Sequence, residues 1–115
     1  MYFSEIKIRF DISSLGIPVE TGVFSDNAPD EYTVLIPLND EFDLHADNQP
    51  GVDIQGVRIS IYSKHNYTQL KKRIIKAILN AEITITDRQY LGYEYDTKYH
   101  HYNIDVENYY ELEDL

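Results

Sequence analysis

Cysteine is absent from the 115 residues, which rules out both a disulfide framework and a thiolate metal site. Glycine is scarce, with five residues, and none falls into the GxGxxG or GxxxxGK spacing whose backbone N–H groups cradle phosphate. No apolar run approaches the roughly 20 residues that cross a bilayer, so no membrane span is expected. The start, MYFSEIKIRF, lacks the uninterrupted apolar stretch of a signal peptide. The expectation is a soluble protein that works inside a cell or in a particle assembled there.

Positive charge is missing from a long stretch. Between Arg9 and Arg58 there is no Lys or Arg, while ten acids occur there. Five of the ten basic residues then fall between Lys64 and Lys76, in a chain of net charge −10. Most of such a surface repels nucleic acid and anionic membranes. The asymmetry suits a subunit whose basic helix meets a neighbour's acidic loop.

The apolar residues organise around Val57–Ala81. Val57, Ile59 and Ile61 alternate with Arg58, Ser60 and Tyr62, as in a strand with one apolar face. Asn66 is placed to cap a following helix, with Gln69 three residues on. Tyr67, Leu70, Ile74, Ala77, Ile78 and Ala81 recur at three- and four-residue steps, and Lys71, Lys72, Arg73 and Lys76 occupy the other side. Asn80 is the expected stop.

Around this unit the chain reads as one domain, residues 1–115, of extended segments and turns. Ile6, Ile8, Phe10 and Ile12 alternate as a strand would. Read as a helix, Phe3, Ile6 and Phe10 share one side and Ile8, Ile12 and Leu15 the other. Pro18–Phe24 reads as an edge strand, SDNAPD (25–30) as a turn and Tyr32–Pro37 as a strand. Residues 38–56, polar and containing Pro50-Gly51, read as a long projecting loop. Glu82–Thr86 and Tyr90–Tyr95 read as two strands separated by a turn at Asp87-Arg88. Asp96–Lys98 links to a strand over Tyr99–Val106. Residues 107–115 read as an acidic tail whose Tyr109 and Tyr110 fray or meet a partner.

Few residue groupings invite chemistry. Asp40, Glu41, Asp43, His45 and Asp47 offer oxygens to a hard cation, but they lack the spacing of a calcium loop. A solvated or partner-facing run is the better reading. His100 and His101 are adjacent in an extended segment, so their side chains point to opposite faces and do not share an ion. No nucleophile, base and orienter stand together. No catalytic residue, metal or cofactor is therefore assigned. Eleven tyrosines, seven of them between Tyr90 and Tyr110, read mainly as cross-strand packing. Tyrosine also suits protein interfaces, because it buries a ring and keeps a polar tip.

HADN (45–48), QGVRISIYSKHNY (55–67), LKKRIIKAIL (70–79) and ITITDRQYLGYEYDTKYHHYNIDV (83–106) together resemble the tail-completion proteins of tailed bacteriophages and prophages. GIPVETGVF (16–24) followed by DEYTVLIPL (30–38) resembles the start of the same tail-terminator or head–tail joining family. The resemblance lies in the order and spacing of motifs, none of them catalytic. It implies an α+β domain: an antiparallel-rich sheet of about five strands, with an N-terminal helix and a central amphipathic helix on one face. It favours the helical reading of residues 4–15. It also implies a ring, commonly of six copies, that caps the tail tube, ends its polymerisation and receives the head–tail connector. The protein would then reside in the virion, assembled in the bacterial cytoplasm. DNA would pass through its lumen without specific binding.

On that reading the ring-interface residues are Asp40, Glu41, Asp43, His45, Asp47, Lys71, Lys72, Lys76, Tyr109 and Tyr110. The 38–56 loop would reach the tube or the adjacent subunit, and Lys71, Lys72 and Lys76 would face a neighbour's acids. Two rivals from other classes are an acidic DNA-mimic inhibitor of a host DNA-handling enzyme and a saccharide or small-molecule binder using the tyrosines. The basic outward side of the central helix has the wrong sign for a mimic.

Overall fold

The computed structural model describes the backbone of residues 3–21, 28–44 and 50–111 and the side chains of residues 6–20, 28–38 and 54–109. Among the described residues, two helices and five strands follow in the order α1 (Phe3–Ser13), β1 (Val19–Thr21), β2 (Glu31–Leu44), β3 (Pro50–Ser63), α2 (Tyr67–Asn80), β4 (Thr84–Glu94) and β5 (Tyr99–Glu111). The strands form one sheet in the order β1-β2-β3-β5-β4. All neighbours are antiparallel except β1 with β2. This is the α+β architecture expected from the sequence.

Both helices lie on the same face of the sheet. Val57, Ile59 and Ile61 of β3 and Tyr102, Ile104 and Val106 of β5 share one buried cluster with Ile8 and Ile12 of α1 and Leu70, Ile74 and Ile78 of α2. The three- and four-residue spacing on α2 thus meets the two-residue spacing of the strands, which closes a single core. Asn66 Oδ1 accepts the backbone N–H of Gln69 at 3.3 Å and caps the start of α2. At the other end Glu82 takes a left-handed conformation, φ 61°. Glu82 N donates to Leu79 O and Ile83 N to Ile78 O, the paired closure that satisfies the last carbonyls of a helix.

The even-numbered apolar residues of the first segment are resolved in favour of a helix. At about 100° per residue, positions 8 and 12 share one side of a helix and positions 6 and 10 the opposite side. Ile8 and Ile12 are buried, whereas Ile6 is 52% and Phe10 73% exposed. Tertiary contacts hold the helix in place. Arg9 Nη1 donates to Val19 O at 3.0 Å, and Lys7 Nζ to Ala81 O at 3.4 Å. Gly16, with φ 81°, then turns the chain into β1.

Three readings of the sequence are corrected. Residues 38–44 and 50–56 are strand and not loop: β2 continues to Leu44 and β3 begins at Pro50, paired from Asn39↔Gly56 to Leu44↔Pro50. A register shift between Pro37 and Asn39 breaks the two-residue period there, so the alternation that marks a strand is interrupted. Asp87-Arg88 is not a turn. Residues 84–94 form one strand with register shifts between Ile85 and Asp87 and between Tyr90 and Gly92, and the bulges again hide the period. The acidic segment from residue 107 is not all tail, because β5 runs to Glu111 and pairs with β3 as far as Val52.

The molecule is long, with extents of 53 × 24 × 24 Å. The reason is the mismatch between helix and strand. Fourteen residues of α2 rise about 21 Å, whereas the fourteen of β3 rise about 46 Å. α2 packs Leu70, Ile74 and Ile78 into one cluster with Val57, Ile59 and Ile61 of β3. From Val57 back toward Pro50, β3 stays paired with β2 and β5 as a three-stranded arm, buried at its base at Gln55 and Gly56.

Candidate functional site

The two sheet faces differ in chemistry. The face away from the helices carries rows of cross-strand partners. Tyr32, Tyr62 and His101 stack with centroid spacings of 4.8 and 4.3 Å, and Ser60 Oγ donates to Asn103 Oδ1 at 2.9 Å. Arg58 grips Asp105 through two bonds of 2.9 and 3.0 Å, which raises the guanidinium pKa, chiefly through the hydrogen bond. Burial pushes the Tyr32 phenol up to about 12, with Tyr62, Tyr99 and Glu94 adding to it. Burial also lowers the His101 pKa, against the opposing pull of Glu94. Tyr99 closes one corner by donating to Pro29 O at 2.6 Å. These tyrosines make the cross-strand packing that the sequence predicts.

Of the two histidines, His100 packs with Tyr67, Tyr90 and Tyr93 on the helix side, with its Nδ1 2.9 Å from Tyr90 Oη. His101 stacks on Tyr62 on the other side. Among the described residues no three His, Asp or Glu side chains converge as metal ligands.

A cavity of about 380 Å³ opens at the start of α2, lined by Glu31, His65, Asn66, Gln69, Leu70 and Arg73. Ser63, His65 and Asp30 meet beside it, but not as a proton relay. Ser63 Oγ is buried and donates to Glu31 Oε2 at 3.0 Å, while His65 Nε2 lies 3.2 Å from Asp30 Oδ2. Ser63 Oγ gives its proton to Glu31 and accepts the backbone N–H of His65 at 3.1 Å, so both of these bonds run to groups other than the imidazole.

The residues expected at a ring interface divide into three groups. Asp40, Glu41 and Asp43 lie on β2 within the arm, opposite Gln55, Ile54 and Val52. His45 and Asp47 lie outside the described residues. Tyr109 and Tyr110 are on the arm's third strand, opposite Ile54 and Asp53. Tyr109 is 49% exposed and donates to Glu107 Oε2 at 2.9 Å. On α2, Lys72 and Lys76 face solvent. Lys71 does not join them: its ammonium lies 4.9 Å from the centre of the Tyr102 ring and 6.0 Å from that of Tyr67, where the ring faces hold the cation.

A surface that the sequence did not mark lies on the outer side of the helices. Ile6 and Phe10 of α1 are exposed there, as is Leu79 of α2 at 58%. The helices run antiparallel, held by Arg73 Nη2 donating to Leu15 O at 2.7 Å and by Lys7 on Ala81 O. A largely apolar groove of about 300 Å³ between them is lined by Leu15, Arg73, Lys76, Ala77 and Asn80. The signal for this surface was present as two opposed apolar rows on α1, but only the packed helix shows which row is left uncovered.

Comparison with models of protein families and with curated proteins finds no match to this chain.

Proposed function

We propose that this protein is a structural component of a phage tail or tail-like particle. It forms a ring, of six copies by the resemblance, that caps the tail tube and joins it to the head connector. The observation that supports the reading is the extension of β2 and β3, paired with each other and β3 also with β5, about 23 Å past the strand residues that pack against the helices. This arm and the helix-covered tile lie at different places on the molecule, so contact between them is head-to-tail. Such contacts close into a ring when the rotation permits. The rival reading as a DNA mimic is disfavoured by the basic outward side of α2, which carries Lys72, Arg73 and Lys76 with no acid in its first turn.

The test is the particle formed by the purified protein, by light scattering and negative-stain microscopy, alone and with tail-tube protein. Closed rings, or caps on the ends of tubes, are the expected result. A single-chain species that neither self-associates nor binds tube ends rejects the proposal.

A further inference from the structure

The helical layer leaves apolar side chains of both helices exposed, with basic residues among them. Phe10, Ile6 and Leu79 are exposed on it, as are Lys7, Lys72, Arg73 and Lys76, of which Arg73 and Lys76 line the groove between the helices. Phe10 has no counterpart in the core, since Ile8 and Ile12 already fill α1's share. An amphipathic surface helix places apolar residues on one side only. A second apolar row on the outside of a two-layer domain, beside a groove of about 300 Å³, is a face awaiting cover.

The same chain carries a segment of complementary charge. The arm includes Asp40, Glu41, Asp43 and Asp53 and no basic residue, since none occurs between Arg9 and Arg58. Its length also matches. The part of β3 beyond Val57, residues 50–56, spans about 23 Å, and α2 spans about 21 Å. The tile carries acids of its own, among them Glu31, Glu82, Asp87 and Glu94, but α2 has none over its whole length. An acidic arm and a helical face with exposed cations on one chain attract between copies, and opposite potentials favour that pairing over like-to-like contact.

We propose that the β2–β3 arm of one copy docks along the outer α1/α2 face of the next, with Phe10, Ile6 and Leu79 beneath it and Lys72 and Lys76 facing its acids. This rests on the ring reading and specifies its subunit contact. Lys71, held over the Tyr102 ring, takes no part.

The absence of cysteine makes a direct test available. With Phe10→Cys and Asp43→Cys in one chain, mild oxidation should give a ladder of covalent multimers on denaturing gels, and either single variant should give dimers at most. In parallel, Lys72→Glu with Lys76→Glu should raise the concentration for half-assembly by on the order of tenfold at low salt, with the difference shrinking as salt rises. Adding Asp40→Lys and Glu41→Lys to that variant should restore assembly, and circular dichroism should show each chain folded. Normal rings from the reversed-charge chain, no rescue, or no ladder would overturn the docking proposal while leaving the ring reading intact. A ladder blocked only by added tube protein would assign the face to the tube instead. A wild-type chain that never associates overturns both.

Discussion

At the scale of single residues, energetic weight follows burial rather than residue type. Ile74 is fully buried between α2 and the sheet, whereas Phe10 is a larger side chain left 73% exposed. Ile74→Ala should cost about 3 kcal/mol, from lost transfer energy and the cavity left behind. Phe10→Ala should stay within about 0.5 kcal/mol in the isolated chain. Urea unfolding of the two variants checks the contrast, and equal losses would show that α1 is packed otherwise. His101 adds a dependence on pH. Burial holds its folded-state pKa below the ordinary 6.5, so the unfolded chain binds the proton more readily. Its contribution is present above 6.5 and is lost as pH falls toward the folded value. Stability should therefore decline as pH falls through 6.5, and His101→Phe, which keeps a ring against Tyr62, should flatten that decline. Parallel slopes for variant and wild type would exclude His101 as the source.

At the scale of elements, ends and bulges decide what forms. Glu82 closes α2 in a left-handed conformation that costs a non-glycine residue energy. Glu82→Gly should raise the stability by about 0.5–1 kcal/mol, read from the denaturation midpoint, and a loss would mean that the Glu82 side chain has a role of its own. The arm tests the division of the sheet. The core residues of β3 lie at Val57, Ile59 and Ile61, so replacing residues 38–56 by an Asn-Gly turn joins Pro37 to its partner Val57. The shortened chain should fold with a melting temperature within about 5 °C of the parent and should fail to form rings. Rings from the shortened chain would remove the arm from the assembly mechanism.

At the scale of the whole molecule, charge and shape act together. A net charge of −10 repels the phosphate backbone over most of the surface, and the densest group of exposed cations, Lys72, Arg73 and Lys76, lies on α2. In the proposed ring the outer α1/α2 face would be covered, leaving a surface on which acids outnumber the exposed Lys64, Arg88 and Lys98. Assembled protein should therefore not retard duplex DNA in a gel at low salt, whereas free chains of the arm-shortened form, with the basic face open, should bind it weakly. Retardation by the assembled form would mean that the basic face stays open.

Much of this architecture was legible in the chain alone. Strong periodic signals fixed the core: the two-residue period of Val57–Ile61 and Tyr102–Val106, and the three- and four-residue period of α2 with its Asn66 cap, all lie where burial is one-sided and each side chain reports its face. The Asp96–Lys98 hairpin link was also readable. The arm, the continuity of β4 and the extension of β5 were not, because bulges reset the alternation and polar residues can be held in strands by backbone hydrogen bonds that no side chain announces. For α1 the local pattern fitted helix and strand equally, and the contacts of Arg9 and Lys7 with distant carbonyls made the choice. Whether an apolar residue is core or contact surface is likewise set by what packs against it. Phe10 and Ile12 look alike in sequence, and only the tertiary structure turned one inward and left the other outside.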